Sequence, residues 1–147
     1  MKIINVKNTG ALIALTGLIF AAVFGNAVHF NPNPQVWFSP DYYIQFIPLY
    51  IAITFLLCGV FIFTGFSQVN IYLAVFGHAT SEEIFFDVIG LTTTPLPFYA
   101  ICIFLPLSLL ALWLAYSNIL QKEKVSIAEA IFGIVFSTLF ILLPRFL

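Results

Sequence analysis

Four stretches of this chain, residues 10–29, 42–66, 98–116 and 127–143, run for a membrane's width or nearly so with a single charged side chain, Glu129, between them. About 20 predominantly apolar residues cross a hydrocarbon core of about 30 Å. Lipid offers the backbone no hydrogen bonds, so segments of this kind fold as helices that satisfy their own N–H and C=O groups. The fold class expected is therefore an all-α integral membrane protein, one polytopic domain over residues 1–147 with four transmembrane helices. Composition agrees: 62% of residues are hydrophobic and 7% charged, against about 25% charged in a soluble domain.

The first run follows Lys2 and Lys7 and ends near Gly25-Asn26-Ala27. That layout also resembles a signal peptide with a small-x-small cleavage site; the run is read as a retained helix. Gly10, Ala14, Gly17, Ala21 and Gly25 recur every three or four residues and so share one helix face. Small residues let another helix approach closely, the usual packing device in lipid. Ala130, Gly133 and Ser137 form a second such face in the last run. Asn26 and His29 sit three apart near the end of the first run, where water or loop backbone can satisfy them; they are the outlying members of the candidate binding set.

Prolines exclude helix from residues 31–39, and Trp37, Phe38, Tyr42 and Tyr43 form an aromatic belt. Ser39-Pro40-Asp41 reads as a helix start, with Ser39 as N-cap, Pro40 at the first helical position and Asp41 at the positive end of the dipole. Pro48 is expected to bend the second span. From Tyr43 to Gly77 the chain stays apolar, and as one straight helix it would measure roughly 52 Å, too long for one crossing and too short for two. The break is placed at Ser67-Gln68-Val69-Asn70, with Ile71 to Phe76 in the interface or dipping into it.

The stretch from Ser67 to Pro97 holds His78, Glu82, Glu83 and Asp87, one of two histidines and three of six acids. Thr80-Ser81-Glu82-Glu83 has the form of a capping box, and Gly90 supplies a stop. A short amphipathic helix over about 81–89 is expected to lie in the membrane surface, its greasy side Ile84, Phe85, Val88 and Ile89 and its acids turned away. His78 would precede that helix. Pro106 is expected to kink the third span. Ser126-Ile127-Ala128-Glu129 repeats the capping-box pattern at the start of the last span.

With the N-terminus inside, Lys2, Lys7 and Arg145 would lie on the inner side and Lys122 and Lys124 outside, a weak positive-inside bias. The central stretch would then also be inside. An inner, cytoplasmic membrane is the expected location.

The residues also limit the chemistry. Net charge −1 leaves no basic patch, so no nucleic-acid partner is expected. Cys58 and Cys102 sit in apolar runs without CxxC spacing and read as structural thiols. Two histidines expected on opposite membrane faces give no metal site, and no cofactor is implied. No catalytic motif is present, so enzymatic activity is not expected. No span shows an ionisable residue near its centre, which argues against a proton or ion relay. What remains is partnership: a small accessory or assembly subunit of a larger membrane complex, whose partners are the bilayer and other integral-membrane subunits. The alternatives are a ligand- or substrate-handling protein with a site at His78, Glu82 and Glu83, extended by Asp87, and an immunity-type protein acting against a membrane toxin.

Overall fold

A computed structural model describes residues 6–146; the expectation placed on Lys2 lies outside them. The described residues form helices and no strands. Helix α1 is Val6–Ala27, α2 Pro40–Ile44, α3 Ile47–Thr64, α4 Val69–Val88, α5 Phe98–Ser117 and α6 Ile127–Phe146, with a single 3-10 turn at Val36–Phe38. Three stretches are long and apolar enough to cross a membrane: α1, the segment Pro40–Thr64 and α5. The apolar part of α6, Ile127–Leu143, is shorter.

Helix α1 packs on α3, and α3 on α4; α5 and α6 then flank α4, with α2 touching the far end of α6. Two ends of the bundle are distinct. At one, Lys7 opens α1, and Lys122 donates from Nζ to the Gly65 carbonyl at 2.8 Å. Glu123 N–H donates to the Ser67 carbonyl there, and Asn70 Nδ2 donates to Asn118 Oδ1 at 2.8 Å and to the Glu123 carbonyl at 2.9 Å. This is the lysine end. At the other, the proline end, Gln45 is bonded to both backbone groups of His29, and Arg145 reaches the Thr93 carbonyl. Helix α4 therefore runs the length of the bundle, from Asn70 at the lysine end to Asp87 near the proline end.

That single helix corrects the reading of the central stretch. Residues 71–76 do not form a separate dip, and 81–89 do not form a short interfacial helix; all but the last belong to α4. Thr80 caps nothing and is buried mid-helix. The expected greasy side is split: Ile84 is buried, but Phe85, Val88 and Ile89 are exposed, and Glu83, expected to face away, is fully buried. A capping box is a local string, and here the apolar residues before it, Val69 to Phe76, bury Val69, Leu73 and Phe76 in the core and carry the helix through it. Gly90 does supply the stop, at φ 74° just past the helix.

Pro48 starts α3 rather than bending it; the chain breaks at Gln45-Phe46, and the proline occupies the first turn, where its missing N–H costs nothing. Ser39 stands at the N-cap of α2 with Pro40 and Asp41 following, but its Oγ donates backward to the Val36 carbonyl instead of capping. The box at α6 is real: Ser126 N–H donates to Glu129 Oε2 at 2.8 Å, and Glu129 N–H donates to Ser126 Oγ at 3.2 Å.

The α1–α3 seam rests on glycine. A Cβ at Gly17 would lie 2.6 Å from the Leu56 backbone, and one at Gly10 or Gly59 would strike the backbone of Phe63 or Ala14. Gly25 only meets the tip of Leu49, and Gly133 has nothing within 4 Å, so the face of α6 departs from that pattern. Beneath the seam, Phe104 of α5 gathers rings from three other helices: Phe20 and Phe24 of α1, Phe55 of α3 and Phe76 of α4, at centroid separations of 4.8–6.4 Å. Phe76 and Phe104 are wholly buried.

Candidate functional site

His78 is the tenth of the 20 residues of α4, and Glu82 follows one turn later on the same face. Their ring and carboxylate stand 3.9 Å apart, His78 Nδ1 to Glu82 Oε1, close enough to feel each other's charge but beyond a hydrogen bond. Each is tied to a different neighbour. His78 Nε2 shares a 2.7 Å hydrogen bond with the Tyr116 hydroxyl of α5, in which either group can donate. Glu82 Oε2 accepts from Ser137 Oγ and Thr138 Oγ1 of α6, both at 2.9 Å. The result is a polar belt, Tyr116–His78–Glu82–Ser137/Thr138, that crosses α4 from α5 to α6.

The belt is not sealed. Helices α5 and α6 flank α4 and share no packed interface of their own among the described residues. The His78 and Glu82 side chains each keep 16% of their surface open. The crevice between the two flanking helices is apolar above and below: Trp113 and Leu109 lie one and two turns before Tyr116 on α5, Ile134 one turn before Thr138 on α6, and Phe85 one turn past Glu82, all exposed.

Glu83 points elsewhere. Neighbouring residues on a helix diverge by about 100°, and Glu83 is fully buried while Arg145 donates from an Nη to its Oε1 at 2.7 Å. Arg145 also donates to the Ile141 carbonyl at 2.6 Å and to the Thr93 carbonyl at 3.4 Å. Asp87 accepts from Thr94 N–H at 3.0 Å and pins the 89–97 loop to the end of α4. These two acids thus hold structure together, and only His78 and Glu82 of the central four form the open belt. Asn26 and His29 are at the proline end and exposed; His29 lines an open hollow of about 520 Å³ with Asp41 and Tyr42, apart from the belt.

Sequence reasoning missed Tyr116, Thr138 and Arg145 as partners. All lie 38 to 62 residues away from the α4 groups they meet. Only the i,i+4 relation of His78 and Glu82 was local. None of the three stretches long and apolar enough to span carries Asp, Glu, Lys, Arg or His near its centre; the sequence reading left α4, which holds His78 and Glu82 at its middle, unrecognised as one helix. Among the described residues no group of three or more His, Cys, Asp or Glu is placed to hold a metal ion.

No family model, no curated protein and no solved structure matches the chain.

Proposed function

We propose that the protein is a small accessory or assembly subunit of a larger integral-membrane complex, and that the crevice between α5 and α6 is where it meets its partner. The single observation that carries this reading is the half-open polar belt at mid-helix. Polar groups at that depth are costly when they face lipid, and they normally face protein or a water-filled cavity. A second membrane protein laid over Trp113, Phe85 and Ile134 would remove both the polar exposure and the apolar walls from lipid. An immunity-type protein that occludes a membrane toxin would use the same surface, and the identity of the partner separates the two.

In this reading all five long helices cross the membrane, α4 included because α3, α5 and α6 pack around it. Among the described residues, Lys7, Lys122 and Lys124 then share one side, opposed by Arg145 alone, which is engaged by Glu83. The positive-inside rule puts the lysine end, and so the N-terminus, in the cytoplasm, and the 89–97 loop outside.

Purification from native membranes in mild detergent at native abundance, with mass spectrometry, tests the reading. A stoichiometric set of membrane partners is expected. A lone, monodisperse protein would overturn it. The second reading, ion or proton handling at His78 and Glu82, is favoured by their depth; it expects that lone protein to conduct in liposomes and to lose conductance in His78→Ala.

A further inference from the structure

The crevice also indicates what its occupant carries. Glu82 has its Oε2 fully engaged by the two α6 hydroxyls, whereas Oε1 has His78 Nδ1 at 3.9 Å and no hydrogen bond. No lysine or arginine among the described residues pairs with Glu82: Arg145 is taken by Glu83, Lys122 by the Gly65 carbonyl at the lysine end, and Lys7 and Lys124 stand at that same end. A carboxylate at this depth gains most from a cation brought to its free oxygen. The side chains on either side, Trp113 and Leu109 on α5 and Ile134 on α6, are apolar and exposed, a surface suited to an apolar helix rather than to a water-borne ion.

Resting on the accessory-subunit reading, we infer that the crevice receives a transmembrane helix of another protein that carries a lysine or arginine at the depth of Glu82. The cation bonds Oε1 between Tyr116 on one side and Thr138 on the other. The aliphatic stem of that side chain lies along Phe85 and Trp113, as long basic side chains do at apolar surfaces.

The test uses the full chain in native membranes. Photo-crosslinking amino acids replace Trp113 and Ile134 in turn, and cross-linked peptides are sequenced. The expected result is one transmembrane segment reached from both positions, with a Lys or Arg within one turn of the attachment point. Glu82→Gln keeps the hydroxyl hydrogen bonds and the helix; it should lower partner recovery at least tenfold while leaving the circular dichroism and elution of the purified protein unchanged. Glu82→Lys should abolish recovery, and replacing the partner's cation by Glu should restore it. A captured segment without a cation at that depth, Glu82→Gln with undiminished recovery, or failure of the reciprocal exchange overturns this inference and leaves the accessory reading standing. Cross-links to lipid alone overturn both.

Discussion

Thr80 and Glu83 stand one turn apart on α4, and each has a buried oxygen, Thr80 Oγ1 and Glu83 Oε2, without a hydrogen-bond partner. An unmet buried hydroxyl costs about 1–3 kcal/mol. Thr80→Val, which swaps that hydroxyl for a methyl of similar size, is therefore expected to stabilise the protein by about 1 kcal/mol in a reversible unfolding titration in mixed micelles. Arg145 behaves oppositely. Removing one partner of a buried ion pair strands the other charge, so Arg145→Met should cost roughly 3–5 kcal/mol, while the double variant Glu83→Met, Arg145→Met should recover most of that loss. The same titration reads all three. None of this was legible at the residue scale from sequence. Thr80 and Glu83 carry the letters of a cap, and only the distant Arg145 shows Glu83 to be a core residue.

Among the elements, α1 and α3 meet at backbone distance, whereas nothing lies within 4 Å of where a Cβ at Gly133 of α6 would stand. Gly59→Val places branched carbons against the Ala14 backbone, which cannot yield as a side-chain tip would. Overpacking of this kind costs about 1–3 kcal/mol. Gly133→Val, with open space around the new side chain, should change the stability of the isolated protein by less than about 0.5 kcal/mol. Thermal unfolding of the two variants side by side checks the contrast. The small-residue spacing of α1 was visible in the sequence, since Gly10, Ala14 and Gly17 repeat at helical intervals; its partner, Gly59, was not. The two capping boxes show where local reading ends. Ser126 and Glu129 follow a polar loop and make both reciprocal bonds. Thr80 and Glu83 follow an apolar helix already packed on α3 and α5, and packing overrides the string. Losing that helix cost the whole of the belt.

For the molecule as a whole, sidedness is the property most directly tested. In a Cys102→Ala background, with Cys58 buried in the core, single cysteines at Ser126 and Asn33 should label from opposite sides with an impermeant maleimide: Asn33→Cys from outside intact cells, Ser126→Cys only after permeabilisation. Labelling of both from one side would remove α4 from the set of crossings. The pairing of Glu83 with Arg145 also bears on how the chain is made. Sixty-two residues separate the two, so under the proposed five-crossing topology α4 enters the membrane long before the ribosome reaches its counter-charge. Until α6 follows, Glu83 has no cation and α4 is a poor client for release into lipid. On that topology the translocon or an insertase is expected to hold it until Arg145 has been carried to the far side. A nascent chain stopped before that arginine is expected to stay bound to the insertion machinery and to be cleared by membrane proteases, a failure of biogenesis that no assay on the finished protein would reveal.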